Sequence, residues 1–227
     1  FWPANTVNDD DIELYTDESR SEVALTWYGM RQQTEKHEID GVMRPSRCLA
    51  DFVAPKDSGV KDYVGMFAVT AGLGVEKKEK YFVDDLDDYS AIMLKALADR
   101  LAEAFAEAMH HRVRTDLWGY ASDESLSNDD MIAEKYRGIR PAPGYPACPD
   151  HSVKRPMFDL LGCADIGMTL TESLAMMPAA SVSGFYLSHP DSTYFNVGKI
   201  GHDQLQDQAA RRKESESYLE RLLAPNL

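Results

Sequence analysis

The order of the predicted elements indicates an α+β fold with a mostly antiparallel sheet. Strand-like segments come first, helices follow in the middle of the chain, and a second set of strands precedes two closing helices. This is not the regular strand–helix alternation of a doubly wound parallel sheet. No internal repeat or low-complexity linker divides the 227 residues, so we expect a single domain.

Extended segments dominate the first third of the chain. Runs of apolar, aromatic and β-branched residues, bounded by proline and glycine, predict strands. Residues 21–33 fit either a helix or a strand, because their apolar positions follow neither period cleanly. The predicted strands are residues 1–7, 12–15, 48–53 and 63–70.

The clearest element is one long helix from about residue 88 to residue 118. Asp87 and Asp88 place negative charge at its start, histidines and arginines gather in its last turns, and Gly119 ends it. An alanine-rich stretch over residues 96–108 allows a neighbouring backbone to pack closely. Large apolar side chains form one stripe: Tyr89, Met93, Leu97, Leu101, Phe105 and Met109.

Shorter elements complete the pattern. The further predicted helices are residues 128–135, 157–161, 202–212 and 215–223, and Ser127 or Asn128 caps the first of them. The further predicted strands are residues 170–174, 181–188 and 194–200. Turn residues at 188–192 predict that the last two strands form a hairpin.

The charge balance limits the classes of partner. A formal net charge of −14 argues against nucleic acid, because phosphate binding needs clustered lysine and arginine. Acidic residues cluster at 9–11 and 84–88, and we expect both runs to be solvated turns. No stretch approaches the roughly 18 apolar residues of a membrane helix, so we expect no membrane partner.

The start of the chain and its cysteines suggest a cellular compartment. The first residues lack both the basic and the apolar part of a signal peptide, and we interpret them as a cut through a longer polypeptide. Cys48, Cys148 and Cys163 are scattered without a C-x-x-C pair, which predicts reduced thiols in the cytoplasm. Cys148 and His151 have C-x-x-H spacing, but no second ligand pair accompanies them, so we predict no metal site.

A proline-stiffened loop, residues 140–149, is the most informative segment. Its four prolines fix their own φ and bias the preceding residues toward extended geometry, so the loop holds one shape at little entropic cost. Gly144 stands where a positive φ or the close approach of another group is easiest. Such a loop suits a small zwitterionic ligand, to which it presents the Arg140 guanidinium, bare backbone and the Tyr145 ring. A plain structural cross-over is the alternative.

Two glutamates, Glu103 and Glu134, allow either a structural or a ligand-binding interpretation. Glu103 lies between alanines on the long helix, in an acidic row with Asp99 and Glu107. It belongs either to a solvated face or to a cleft, where it would bind hydroxyl or ammonium groups. Glu134 precedes Arg140 by six residues, which allows a local salt bridge or a ligand contact. The common nucleophile, Walker, zinc-protease and dinucleotide motifs are all absent, so we predict no catalytic residue.

The segment Arg140-x-x-x-Gly144-Tyr145, with residues 135–139 before it and 146–151 after it, resembles the signature of a known family. That family is the S-adenosylmethionine-binding activation domain of cobalamin-dependent methionine synthase. Further segments resemble it in the same order, at residues 61–65, 87–90, 98–107, 170–173 and 182–184 with Tyr186. The resemblance implies that residues 1–227 form one α+β domain with a twisted sheet flanked by helices. They would be about the C-terminal two-thirds of the family domain.

The resemblance implies which residues bind S-adenosylmethionine. It assigns the ligand's carboxylate to Arg140, whose planar guanidinium suits bidentate contact. It assigns the nucleoside to Gly144 and Tyr145. Tyr194 and Phe195 match an aromatic pair that lies against the ligand, although Phe195 lacks the hydroxyl found in relatives. The remaining expected binding residues are Ala142, Glu103 and Glu134.

The resemblance also implies a function. Such a domain binds S-adenosylmethionine and supplies its methyl group for the reductive reactivation of cob(II)alamin to methylcobalamin, within an enzyme that methylates homocysteine to methionine. Cobalamin belongs to a neighbouring domain of the same polypeptide, and a flavodoxin-like or other flavoprotein reductant supplies the electron. Zinc belongs only to the homocysteine-binding part of the full-length enzyme. The domain alone is expected to bind the methyl donor without full turnover.

Two other functions are weighed against this one. A free-standing S-adenosylmethionine-dependent methyltransferase predicts a glycine-rich loop after a first strand and an acid at the end of the next strand. Neither feature is present. A docking module for a flavoprotein reductase would tolerate the loss of Arg140.

Overall fold

The structure is a computed structural model and describes residues 1–36, 38–39 and 41–227. Contacts within the chain divide it into two compact units. Unit 1 comprises Phe1–Gly65, Gly138–Val153 and Phe185–Leu227, and unit 2 comprises Met66–Arg137 and Lys154–Gly184. The assignment of the whole chain to a single domain stays a prediction.

The largest sheet has five strands and confirms the predicted antiparallel character. In chain order the strands are β1 (Trp2–Val7), β2 (Asp11–Tyr15), β3 (Val23–Tyr28), β4 (Glu38–Ile39), β5 (Val42–Met43), β6 (Asp62–Thr70), β7 (Thr169–Leu170), β8 (Met176–Met177) and β9 (Ser181–Tyr186). The five-stranded sheet has the order β3-β2-β1-β6-β9. The pairs β1/β2, β2/β3 and β1/β6 are antiparallel, as are the short pairs β4/β5 and β7/β8.

Alternating burial explains why the ambiguous segment at 21–33 becomes a strand. Leu25 and Trp27 are buried on one face of β3, whereas Thr26 and Tyr28, which alternate with them, are only half-buried. Trp27 stacks on Phe185, with ring centroids 3.9 Å apart. Aromatic stacking together with burial fixes the face of the strand and therefore its register.

The predicted strand over residues 48–53 is wrong, because Leu49–Phe52 form a 3-10 helix. The carboxylate of Asp51 accepts a hydrogen bond from the Cys48 N–H at 2.8 Å and so caps this turn. A guanidinium nitrogen of Arg31 holds the same carboxylate at 2.7 Å. An apolar run can be buried without being extended, and composition alone does not separate the two cases.

Six α-helices are present in the part of the chain that the structure describes. They are α1 (Val75–Asp84), α2 (Asp88–Arg112), α3 (Asn128–Ile132), α4 (Lys154–Leu161), α5 (His202–Arg212) and α6 (Glu216–Leu222). The predicted long helix is confirmed, since α2 continues through a π-helical turn at Val113–Leu117. Gly119, with a φ of 74°, follows its end. Helix α1 was missed by the sequence reasoning.

Helix α2 buries mainly its alanines rather than its large apolar side chains. Asp87 begins the helix by accepting a hydrogen bond from the Ser90 N–H at 3.0 Å, and this bonding lowers the pKa of Asp87. The buried residues of the helix are Ala91, Ala98, Ala102, Ala106 and His110. Most of the apolar stripe is exposed, at Tyr89, Met93, Leu97, Leu101 and Phe105. The spacing of the large apolar residues therefore predicts the helix correctly, but it does not predict which face of the helix is buried.

The predicted strand at 194–200 and its hairpin with the preceding strand are wrong. This segment is irregular, because its backbone groups bond to loops: Val197 N–H donates to Pro146 O at 2.9 Å, and Ile200 N–H donates to Asn226 O at 2.8 Å. Its apolar side chains join α5 and α6 in one buried cluster. The cluster consists of Met30, Val197, Ile200, Leu205, Ala209, Leu219 and Leu223.

Two further expectations need correction. The predicted strand at 170–174 shrinks to β7, because the chain turns back at Leu174, which has a φ of 66°, and pairs with β8. The acidic run at 9–11 is not wholly solvated, since Asp11 is 2% exposed and forms an ion pair with Arg211 of α5. Among the described residues, no helix combines the length and the apolar character needed to cross a bilayer.

Candidate functional site

The proline-stiffened loop is attached to the sheet at its start. Ile139 and Leu187 exchange backbone hydrogen bonds of 2.9 and 3.0 Å. Phe185 N–H donates to Pro141 O at 2.9 Å. Because Phe185 belongs to β9 and Leu187 follows it directly, these bonds fix where the loop begins.

A tight turn then directs two motif residues outward. Gly144 N–H donates to Cys148 O at 2.7 Å, and Cys148 N–H donates to Tyr145 O at 2.9 Å. Pro143, Ala147 and Cys148 are buried, whereas Gly144 is exposed and Tyr145 is 61% exposed. The loop thus presents bare backbone and an aromatic ring at the surface of unit 1.

The first residue of the loop is joined to the aromatic pair. Arg140 N–H donates to the Tyr194 hydroxyl at 3.0 Å, and the Tyr194 side chain stays partly exposed. Phe195 instead packs against the cluster of α5 and α6 and against Phe52, at 6.5 Å between ring centroids. The two neighbours therefore have different surroundings: the hydroxyl of Tyr194 bonds to this loop, whereas the ring of Phe195 packs among apolar side chains.

Gly144 is required by a contact that the sequence reasoning did not find. Its φ is 96°, in the region that favours glycine. A Cβ added there would lie 2.0 Å from Cε1 of His151, so the imidazole occupies the space of the missing side chain. The sequence predicts that Gly144 allows the close approach of another group, and in the structure that group is His151, seven residues further along the chain.

The far end of the loop is held by a buried ion pair. The Asp150 carboxylate accepts a hydrogen bond from Nη1 of Arg212 on α5 at 2.7 Å, and both side chains are only 6% exposed. The same carboxylate accepts bonds from the N–H and the hydroxyl of Ser152 at 2.7 and 2.8 Å. Arg212 was not singled out in the sequence, because nothing local links residues 62 positions apart.

Cys148, next to this pair, is a structural thiol. Burial raises its pKa to about 12, so the thiol is protonated at neutral pH. A protonated, buried thiol is a weak nucleophile. Cys148 is buried within the loop, and the imidazole of His151 fills the space beside Gly144.

The predicted carboxylates lie in unit 2. Glu103 lines a cavity of about 440 Å³ together with Asp99, Arg100 and the segment 179–182. Its side chain is exposed, so it is both on a solvated helix face and at the wall of a cleft. These were the two alternatives left open for it.

Glu134 follows α3 and has an unusual backbone. Its φ of 53° lies in the left-handed region, which a residue with a side chain adopts at a cost of about 1 kcal/mol or more. Its side chain is exposed. Ser127 caps α3 and Asp130 completes the capping box, so the predicted cap is confirmed although the helix ends at Ile132.

Unit 1 brings together six of the eight predicted binding residues. Five of them meet through the loop and its hydrogen bond to the aromatic pair, and the sixth packs beside them: Arg140, Ala142, Gly144, Tyr145, Tyr194 and Phe195. Glu103 and Glu134 belong to unit 2. Sequence reasoning missed Asp150 and Arg212, and it considered His151 only as a partner of Cys148 in a metal site.

Comparison with known proteins agrees with the resemblance noted in the sequence. A profile of the family described as "Vitamin B12 dependent methionine synthase, activation domain" matches residues 1–213. The chain is also similar to a crystal structure of the MetH reactivation domain bound to AdoHcy, with 55% sequence identity and a TM-score of 0.94. That match covers 100% of this chain and 68% of the solved chain. The similarity includes both units.

Proposed function

Because the chain belongs to the family of vitamin B12-dependent methionine synthase activation domains, we propose that it binds S-adenosylmethionine and presents the methyl group to a cobalamin on a neighbouring domain of the same polypeptide. The observation that carries this proposal is the loop from Arg140 to Tyr145, which is fixed at its base and turned outward at its tip. The similar reactivation domain holds AdoHcy, the same ligand without its methyl group.

Arg140 binds the carboxylate of the ligand in this proposal. Its backbone is fixed on one side by the bond to Tyr194 and on the other by Pro141, whose φ is locked by its ring. The side chain of Arg140 therefore leaves the loop from a fixed Cα position. A bidentate contact to a carboxylate then gives both charge and orientation.

The nucleoside lies against the outward face of the loop. Ala142 and Gly144 offer backbone, while the exposed rings of Tyr145 and Tyr194 offer flat apolar surface for an adenine. Phe195 supports this surface from the cluster side, where it is packed. Glu103 and Glu134 complete the proposed set, as acceptors for hydroxyl or ammonium groups of the ligand.

The residues of this chain act by positioning. The bound ligand supplies a methyl group on a sulfonium, which is already an activated leaving group. The chain therefore needs no general base. Rigid attachment of the loop restricts the ligand to one orientation, and this restriction is the protein's contribution to the rate.

The proposal includes partners and a compartment. A flavodoxin-like or other flavoprotein reductant supplies the electron, zinc serves the homocysteine-binding part of the full-length enzyme, and the reaction takes place in the cytoplasm. Residues 1–227 act as one activation domain, which binds the methyl donor by itself without full turnover.

A free-standing methyltransferase is less well supported. Gly72 and Gly74 stand between β6 and α1, where such an enzyme would hold its nucleoside. A side chain at Gly72 would begin 2.5 Å from Cβ of Pro178, so packing against Pro178 requires this glycine. No ligand contact is needed to explain it.

Titration calorimetry and a methyl-transfer assay test the proposed function. We expect the chain to bind S-adenosylmethionine and AdoHcy and to release no AdoHcy from S-adenosylmethionine on its own. Methyl transfer should begin when the cobalamin-bearing domain and a reductant are added. Turnover with a small acceptor and no cobalamin would instead show a free-standing methyltransferase, and the absence of binding would contradict the proposal.

A further inference from the structure

The end of helix α5 is tied to the far end of the loop by a contact that the proposed function does not use. Arg212 is the last residue of α5 and Asp150 directly follows the last proline of the loop. Their side chains are joined at 2.7 Å and are almost completely buried. A buried ion pair is a weak source of stability but a strong geometric constraint, because its two charges must stay together.

Arg212 is itself held from several sides. Its Nε donates to Oε1 of Gln208 at 2.8 Å, and its guanidinium carbon lies 5.0 Å from the centroid of the Tyr28 ring. Its Nη1 also reaches the hydroxyl of Ser152 at 3.3 Å. The guanidinium thus bridges β3, α5 and the loop, and its planar fork cannot be matched by a lysine.

Helix α5 is in turn fixed to the sheet. Gln208 Nε2 donates to Gly29 O at 2.6 Å, and Gln204 Nε2 donates to Arg31 O at 2.9 Å, both just after β3. Leu205 and Ala209 lie in the same cluster as Val197, whose N–H donates to Pro146 O in the loop. The helix is therefore a rigid base to which the loop is fastened at its middle and at its end.

We propose that Arg212 is a positioning residue for the methyl donor, acting through Asp150 on the loop that carries Arg140, Gly144 and Tyr145. This inference rests on the proposed function for its ligand. Without Arg212 the Asp150 carboxylate would be a buried charge without its cation, and it would move toward water. Such a movement pulls on Cys148 and Pro149, and so releases the turn at Gly144.

The neighbouring residue supplies a matched control. Arg211 also lies in the last turn of α5 and also forms a buried pair with an aspartate, Asp11, but that aspartate belongs to β2. An Arg211→Met variant therefore removes the same kind of ion pair from the same helix without touching the loop. Loss of stability alone would affect both variants, whereas loss of positioning affects only Arg212→Met.

Two readouts test the proposal: affinity for S-adenosylmethionine by calorimetry, and hydrogen exchange of the loop amides without ligand. We expect the dissociation constant of Arg212→Met to rise about tenfold or more, with that of Arg211→Met within about twofold of wild type. Arg212→Lys should recover part of the loss. The amides of Gly144 and Cys148 should exchange faster in Arg212→Met only.

The double variant Arg212→Met/Asp150→Asn removes the buried charge as well as its partner, so we expect it to bind more tightly than Arg212→Met alone. Unchanged affinity or unchanged loop exchange in Arg212→Met would overturn the proposal, as would equal effects of the two arginine variants. If wild-type chain does not bind the ligand, the proposed function fails. The exchange experiment still decides whether Arg212 positions the loop.

Discussion

The hydroxyl oxygen of Tyr194 accepts a hydrogen bond of 3.0 Å from the backbone N–H of Arg140. The two residues are 54 positions apart, and each belongs to a segment that we assign to the ligand. Since Pro141 follows Arg140, this bond and the restriction that a proline places on the preceding residue together hold the backbone from which the Arg140 side chain leaves. The binding loop is thus organised by the chain itself.

Replacing Tyr194 with phenylalanine should weaken binding modestly. The ring remains, but the N–H of Arg140 loses its acceptor, a change of about 0.5–1.5 kcal/mol. Calorimetry with S-adenosylmethionine measures it. Tyr218 on α6, which is 38% exposed, provides the control, because Tyr218→Phe should bind as wild type does. Equal affinity of Tyr194→Phe and wild type would show that the bond does not position Arg140.

Replacing Gly144 with alanine should destabilise the fold as well as the site. The new Cβ would lie 2.0 Å from His151 on a backbone with a φ of 96°, so we expect a loss of more than about 2 kcal/mol. Gly59 has a φ of 73° and no atom within 4 Å of the added Cβ, so Gly59→Ala should lose only about 1–2 kcal/mol. Urea unfolding measures the free energy of unfolding of both variants. Equal losses in the two would mean that the His151 side chain moves aside without a cost in free energy.

We expect Glu134 to contribute to ligand binding and to lower the stability of the fold. Asparagine tolerates the φ of 53° better than glutamate, so Glu134→Asn should keep or raise the free energy of unfolding, by up to about 1 kcal/mol. The affinity for S-adenosylmethionine should fall several-fold. Lys213, with a φ of 58° after α5, is the control, because Lys213→Asn should gain stability without changing affinity. A Glu134→Asn variant that binds normally would remove Glu134 from the site.

Asp11 should make the fold less stable as pH rises through the mildly acidic range. Burial raises the pKa of Asp11 from 3.8 to about 6, although Arg211 opposes the shift. Between these values the folded chain keeps a proton that the unfolded chain has released. The free energy of unfolding should therefore fall by about 1–3 kcal/mol from pH 4 to pH 6 through this group, and stay level above.

Urea unfolding at a series of pH values tests this expectation. In Asp11→Asn the free energy of unfolding should no longer show this fall between pH 4 and pH 6. Asp9→Asn, in the exposed part of the same acidic run, should show the same fall as wild type. The same slope in Asp11→Asn and wild type would show that another group titrates.

The sequence predicted elements whose signals are local. The long helix carries its cap at Asp87 and its stop at Gly119, and both are observed. The strands predicted at 48–53 and 194–200 failed because groups distant in the sequence help to set their conformation. The guanidinium of Arg31 holds the carboxylate of Asp51, and the carbonyl oxygen of Pro146 accepts a hydrogen bond from the N–H of Val197. The buried face of α2 was not predictable either, because burial depends on what packs against the helix.

The candidate site also combines features with a local sequence signal and contacts without one. Prolines, one glycine and the spacing of Arg140 to Tyr145 predict a rigid loop, and backbone hydrogen bonds hold this loop at its base and at its turn. Its part in ligand binding stays a prediction. The contacts of Gly144 with His151 and of Asp150 with Arg212 depend on the folded path of the chain. A single sequence holds no direct signal for such pairs.

The affinity of an Arg140→Ala variant for S-adenosylmethionine tests the central claim most directly. We expect calorimetry to show that Arg140→Ala loses about 2–4 kcal/mol of binding free energy for S-adenosylmethionine and the same amount for AdoHcy. Arg140→Lys should lose less, since lysine provides the charge without the planar guanidinium. Methylthioadenosine lacks the carboxylate, so its affinity should not change. Arg221→Ala, an exposed arginine on α6, should bind as wild type does. Unchanged affinity of Arg140→Ala for S-adenosylmethionine would contradict the account.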